Sequence, residues 1–359
     1  MGRQGQSTTR MPHRRPTLRE VADEAGVSIS TASLVYSGKQ GVSPATAERV
    51  RAAAETLGYA GPDPLASSLR HGRSGVVGVH VEGALGYAFQ DPYAVSVLDG
   101  LGQVLDELGM GMLLVPEPPG GAEHAARLVA GQALDALVFA LCGPTTSALV
   151  DQVAARGIPM LGTGAPVDER VVQLRIDDRA ATGELVDHLR GLGHERIAML
   201  AMPLGPGAPA GPVTVADVDA AAYPDARDRA LAFVDRLGPD LPMVQSAGLS
   251  IDGGAQAAAL LLDAVPRPTA VVAQSDLLAA GVIRAATDRG LSVPDDLSVV
   301  GFDGIELPWF EGRLTTVEQD GRGKGRRLGD MLRRLLDGEV VPDEEHPTRL
   351  RLGTTTCPR

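Results

Sequence analysis

The amino-acid sequence predicts a small all-α head of three short helices, followed by a larger α/β body of two doubly wound, parallel-sheet lobes. Three observations carry this. Residues 17–58 hold three stretches of helical periodicity with capping residues at their starts. From Val76 onward, short apolar runs of strand type alternate with longer helical segments. The stretch from Val76 to Arg359 also exceeds what one such sheet ordinarily uses, so two lobes with a cleft between them are expected.

Residues 1–15 are polar, basic and of low complexity, and are expected to be a disordered tail. Residues 16–60 form the head. Thr17-Leu18-Arg19-Glu20 reads as a capping box, Leu18, Val21, Ala22 and Ala25 recur at helical spacing, and Gly26 takes the left-handed turn position. Ser28 caps a second helix through about Val35. Ser43-Pro44 opens a third, which turns Val50, Ala54 and Leu57 inward and stops at Gly58. Residues 61–75 form a linker, because Gly61-Pro62-Asp63-Pro64 cannot continue a helix, although Leu65–Leu69 can form one short turn.

The body occupies residues 76–359. Its strands are expected at Val76–Val81, Met112–Val115, Ala136–Ala140, Ile158–Gly162, Ile197–Ala201, Val244–Ala247, Ala270–Ala273 and Ser298–Phe302. The Pro-, Gly- and Ala-rich stretch 203–222 reads as a surface excursion.

Composition excludes several classes. Hydrophobic content of 44% and charged content of 22% are those of a soluble globular chain, and no apolar run approaches a membrane span. The N-terminus lacks an apolar signal core, so a cytoplasmic location is expected. Cys142 and Cys357 make neither a disulfide framework nor a metal-ligand spacing, so no metal or cofactor is expected. The net charge of −12 is unevenly spread: residues 1–73 carry 10 Lys+Arg against 6 Asp+Glu, and the rest is strongly acidic. A basic head on an acidic body fits a nucleic-acid-binding segment, or simply a basic tail.

Leu18 to Gly38 has helix-turn-helix spacing, with Ala22 where the helices touch, Gly26 in the turn, and Val27 and Val35 pinning the second helix to the first. In such a motif the N-terminal residues of the second helix face base edges in the major groove, here Ser28, Ile29, Ser30, Thr31, Ser33 and Leu34. Their small hydroxyls suit close approach to phosphate. A plain helical hairpin fits the same spacing.

The segment TLREVADEAGVSISTASLVYSGKQGVSPATAERVRAAAETLGY resembles the N-terminal domain of the lactose-repressor (LacI/GalR) family. The resemblance runs to about Leu352 through Gly193–Ile197, Ser275–Ala279, Ser298–Asp303 and Leu314–Val317. It implies a transcriptional repressor that binds a palindromic double-stranded DNA operator as a homodimer, under control of a small-molecule effector and without a membrane. It puts Ser28 and Ser43 on phosphate and Ile29, Ser30 and Leu34 at base edges. Ile29 and Leu34 replace residues that are often polar, so they can touch a thymine methyl but cannot hydrogen-bond a base. Pro64–Leu69 is similar to the family's hinge helix. Leu69 would be the apolar wedge that parts a central base step, with Ala66 packing against its twin.

The resemblance further implies lobes of periplasmic-binding-protein type, whose cleft takes a sugar, nucleoside or related metabolite. Arg229 matches the arginine of an Arg-x-x-Gly-aromatic signature, Asp303 the acceptor aspartate, Ser275 a polar position, and Asp178 or its neighbour Asp177 the acid opening a helix. Tyr87, Phe89 and Asp91 follow the first strand on a loop facing the cleft, and ring stacking would use Tyr87, Phe89, Trp309 or Phe310. Ala232 stands where the family has glycine, and Gly304 where a second acid is common. Structural roles remain open: Asp178 and Asp276 can cap helices, Arg229 can pair with Asp225, Asp303 can serve a turn, and Tyr87 and Phe89 can be core.

An enzyme, a transport-type binding protein and a constitutive DNA-binding protein with a vestigial effector lobe are the alternatives. No P-loop, nucleophile elbow or His-Glu-x-x-His is present, and Gly321, Gly323 and Gly325 follow no predicted strand as a dinucleotide fingerprint requires. No leucine-heptad tail follows Leu336, which favours a dimer over a tetramer.

Overall fold

The computed structural model describes residues 16–37, 41–61, 72–118, 120–141, 143–307 and 310–359. The expected tail 1–15, the hinge residues Ala66 and Leu69, and Trp309 lie outside these. Contacts divide the chain into two compact units at Ser74/Gly75.

The head holds α1 (Leu18–Glu24), α2 (Ile29–Ser37) and α3 (Pro44–Leu57). Glu20 N–H donates to Thr17 Oγ1 at 3.3 Å and Thr17 N–H to Glu20 Oε2 at 2.6 Å, completing the capping box. Gly26 turns the chain at φ +64°, a conformation that suits a residue without Cβ. Val27 N–H then returns to the Ala22 carbonyl at 2.9 Å. Val21, Ala22, Ala32, Val50, Ala53 and Ala54 form the buried centre, with Val27, Val35 and Leu57 packed around it. Tyr36 and Tyr59 close it edge-to-face, ring centroids 5.6 Å apart.

In chain order the body's strands are β1 (Val76–Glu82), β2 (Gly111–Glu117), β3 (Ala136–Phe139), β4 (Met160–Gly162), β5 (Val171–Arg175), β6 (Ile197–Ala201), β7 (Gly211–Pro212), β8 (Met243–Gln245), β9 (Ala270–Ala273), β10 (Ser298–Asp303), β11 (Thr315–Glu318), β12 (Glu344–Glu345) and β13 (Arg349–Arg351). They make two sheets, ordered β12-β5-β4-β3-β1-β2 and β13-β11-β10-β9-β6-β8-β7. The first is parallel throughout. The second is parallel except at its edges, where β7 and β13 run antiparallel. In each sheet the strand order reverses, at β1 and at β6, and open α/β sheets place crevices at the carboxyl ends of such strands.

The lobes interleave along the chain. The helix Gly321–Leu336 returns to the first lobe, where it packs on the helix Pro92–Leu108. This crossing accounts for Gly325 among the late glycines, whereas Gly323 is crowded by the Asp320 cap of its own helix. The late glycines do follow a strand, β11, contrary to the sequence expectation. Yet a Cβ at Gly325 would run into the Val97 carbonyl, and one at Gly100 into the Arg322 carbonyl. Close helix approach uses these glycines.

Strands β5, β11, β12 and β13 escaped the sequence reading. β11 buries Thr315 and Thr316, whose hydroxyls are bonded to Thr356 and Asp276, so its core face does not look apolar. The 203–222 stretch is a surface excursion only in part: half of its residues are exposed. It adds edge strand β7 and the helix Val215–Asp219, capped by Thr214, and buries Leu204, Val213 and Val218 in the second core.

Candidate functional site

Two places gather chemistry. The first is the N-terminus of α2, where Ser28, Ile29 and Ser30 are exposed, Thr31, Ser33 and Leu34 are half-buried, and Ala32 turns inward. Ser28 Oγ accepts from Thr31 N–H at 3.1 Å and lies 2.7 Å from Ser30 Oγ and 2.8 Å from Thr31 Oγ1. The helix thus opens on a compact hydroxyl cluster, at the end where its dipole favours anions. Ser43, exposed, caps α3 through Thr46 N–H at 3.3 Å. Ile29, 42% exposed, offers apolar surface beside the hydroxyls.

The second is a narrow crevice between the lobes, with a volume of about 40 Å³, lined among others by Asp91, Asp178, Arg229, Ser275 and Asp303. At its centre Arg229 Nε donates to Asp178 Oδ1 at 2.7 Å and Nη1 to the Gln274 carbonyl at 2.6 Å. The guanidinium lies 3.7 Å over the Phe302 ring. Arg229 therefore reaches across to Asp178 and not to Asp225 of its own helix. Asp177 caps the helix that follows, through Ala180 N–H, which frees Asp178 to face the crevice. Burial pushes the Asp178 carboxyl up, against the opposing pull of Arg229.

Asp303 ends β10 at φ +126°, strained for a residue with a side chain. Gln319 Nε2 donates to its Oδ1 at 2.8 Å. The next residue, Gly304, sits at φ +82°, and a Cβ there would stand 2.8 Å from Glu318 Cα, so a second acid has no room. Asp276 does not cap its helix. Ser275 does, through Leu278 N–H, while Asp276 turns inward to accept from Thr316 Oγ1 at 2.6 Å and from the Gly304 and Ile305 amides at 2.8 Å. Burial pushes Asp276 up to about 6 despite these donors. Burial, and then repulsion from Asp276, holds Asp303 well above the usual carboxylate range.

Asp91 caps the helix Pro92–Leu108 through Tyr93 N–H and is buried. Phe89 is not among the crevice-lining residues. It stands 62% exposed on the turn Tyr87–Gln90, whose buried face is Ala88. The Tyr87 side chain lies outside what the structure describes. Phe310 packs against the second core.

Sequence reasoning missed the bonds that tie the lobes together. Tyr93 Oη donates to Gln319 Oε1 at 2.8 Å and lies 3.4 Å from Lys324 Nζ, so Lys324, Tyr93, Gln319 and Asp303 form one chain across the crevice. At the mouth, Tyr223 Oη donates to Glu82 at 3.0 Å, and Thr145 donates twice to the Ala222 carbonyl. Tyr93 follows the Asp91-Pro92 helix start and carried that signal. Lys324, set among glycines, carried none.

Among the described residues, no group of three or more His, Cys, Asp or Glu could hold a metal, and no helix is long and apolar enough to cross a membrane.

Residues 17–61 match the profile of bacterial regulatory proteins of the lacI family. Residues 80–215 match that of periplasmic binding proteins and the sugar-binding domain of the LacI family, and 186–356 a periplasmic-binding-protein-like domain. The HTH-type transcriptional regulator Rv3575c of Mycobacterium tuberculosis is 34% identical, over 97% of this chain and 98% of its own length. The regulator MalR of Streptomyces coelicolor is 31% identical over 91% and 92%. The structure of the lac repressor dimer bound to operator and the anti-inducer ONPF superposes with a TM-score of 0.78, at 27% identity over 96% of this chain and 100% of that one. A CelR–cellobiose complex gives 0.65, also at 27% identity, over 95% and 100%.

Proposed function

The chain belongs to the LacI family of DNA-binding transcriptional regulators, and from that premise we propose that it is a repressor that binds a palindromic operator as a homodimer and is released or engaged by a small polar effector. The observation that carries the effector half is the interlobe crevice. It brings Asp91, Asp178, Arg229, Ser275 and Asp303 together from five separate segments. Such a site suits a ligand with several hydroxyls: the polar groups fix orientation, and Met202, Leu249 and Ile176 supply apolar wall.

Coupling follows from the interleaved lobes. A ligand that bridges the chain from Lys324 to Asp303 biases the pose of one lobe on the other, and differential affinity for two poses is what a sensor requires. In the dimer that pose sets how the two heads are presented to DNA. The head's contacts divide by chemistry: Ser28, Thr31, Ser33 and Ser43 take phosphate, and Ile29, Ser30 and Leu34 take base edges. Leu69 wedges the central step, with Ala66 against its twin.

Selection from a random duplex pool tests the DNA half. A palindrome with a central pyrimidine–purine step is expected; asymmetric or absent enrichment overturns the dimer-and-wedge reading. Leu69→Ala should weaken specific binding far more than non-specific binding, and equal loss of both refutes the wedge. A metabolite screen by thermal shift tests sensing, since a ligand that binds only the folded state raises the melting temperature. Operator binding that ignores every stabilising ligand would favour the constitutive alternative.

A further inference from the structure

Among the described residues lining the crevice, one solvent-sealed side-chain oxygen has no hydrogen-bond donor, on Asp225. Asp225 Oδ1 accepts from the Ala226 amide at 2.9 Å, but Oδ2 is sealed from solvent and has no hydrogen-bond partner. Asp225 lines the central crevice and both adjoining openings, the mouth beside Glu82 and Tyr223 and the side beside Thr163 and Arg175. A buried, unsatisfied carboxylate oxygen costs stability unless something fills it.

The surrounding charges point the same way. Among the described residues lining the central crevice, the carboxyls of Asp91, Asp178 and Asp225 still outnumber Arg229 and Lys324 when Asp303, held well above the usual carboxylate range, is left out. Arg229 is already spent on Asp178, the Gln274 carbonyl and the Phe302 face. A negatively charged ligand would find Arg229 engaged and only Lys324, bonded to Tyr93 Oη at 3.4 Å, to meet it, and would add to the acidic surplus. A donor-bearing ligand would satisfy Asp225 and relieve that surplus. The lining offers aliphatic wall from Met202 and Leu249, while Tyr93 has its hydroxyl tied to Gln319.

We propose that Asp225 selects the effector, taking a hydrogen-bond-donating ligand without negative charge, through its hydroxyls or a protonated amine, and rejecting phosphorylated or carboxylated analogues. This rests on the effector reading of the crevice. It is supported by the electrostatics of the wall, where Asp225 adds to the upward push on Asp178, and Asp91 to that on Asp303.

The test uses the full chain, thermal shift followed by calorimetry, and a panel of hexoses, cyclic hexitols, their amino derivatives, their monophosphates and the aldonates. Binders are expected only among the uncharged and amino compounds. A fall in affinity above the pH at which the amine deprotonates would separate ammonium from hydroxyl recognition. Asp225→Asn should weaken these binders about ten- to hundredfold, the worth of a hydrogen bond to a charged group. Asp225→Ser serves if the first variant folds poorly. A phosphate or aldonate that binds more tightly than its uncharged parent overturns the proposal and leaves the effector reading standing. Uncharged binders indifferent to both substitutions remove Asp225 from recognition. A panel without any binder sinks the effector reading, and the proposal with it.

Discussion

Replacing Arg229 with methionine isolates the pair at the centre of the crevice. The two side chains are 4% and 15% exposed and meet at 2.7 Å, so solvent screening offers little discount. Removing one partner of such a pair costs about 3–5 kcal/mol, because the remaining charge is buried without compensation. Loss of the donor to the Gln274 carbonyl and of the Phe302 contact falls within that same figure, since neighbouring truncations do not add. Asp178 has one escape. Burial already pushes its carboxyl up and Arg229 leads the opposing pull, so without Arg229 it rises further and takes up a proton. An acid raised in the folded state binds a proton that the unfolded chain has released. The penalty therefore grows with pH and shrinks toward about pH 5, near the unfolded carboxylate range. Urea unfolding at about pH 5 and pH 8, with the slope held constant, measures this directly. Arg229→Met with Asp178→Leu should regain more than half of the loss, as apolar replacement of a buried pair does. A single-variant loss below about 1 kcal/mol, or a double variant no better than the single, would refute the reasoning.

Tyr223→Phe deletes the hydrogen bond to Glu82 across the mouth, worth about 0.5–1.5 kcal/mol, and should speed effector dissociation roughly three- to tenfold; an unchanged off-rate by stopped flow removes the latch role. Asp303→Asn takes away a carboxyl held well above its ordinary value. In the parent, that proton makes stability decline as pH climbs from about 4 toward the raised value. Urea midpoints of the variant should be flatter over that window, and an identical slope counts against a protonated Asp303. Gly325→Ala drives a methyl into the Val97 carbonyl where two helices cross. A loss of about 1–3 kcal/mol is expected, and an unchanged thermal melt would mean the crossing has slack.

The head was legible because its signals are local. A threonine that reaches three residues forward, a glycine at the turn and a proline at a first helical position act within one helical turn and need no knowledge of the rest of the chain. The central strands were legible for a similar reason, since buried parallel strands read as continuous apolar runs. β11 was not, because its core face carries threonines whose hydroxyls are bonded inside. The edge strand within 203–222 went unread likewise, since edge pairing leaves no periodicity in two residues such as Gly211–Pro212.

By itself the sequence determined the order of elements, the split into head and body, and which polar residues were candidates for the crevice. The tertiary structure decided how those residues are used: Arg229 against Asp178, Asp177 as cap, Asp276 turned inward, Phe89 turned outward, and Tyr93, Lys324 and Gln319 enlisted. The division has a physical cause. Capping and periodicity depend on neighbours a few residues away, whereas the partner of a buried charge depends on which distant segments share its low-dielectric surroundings, and only the folded chain brings those segments together.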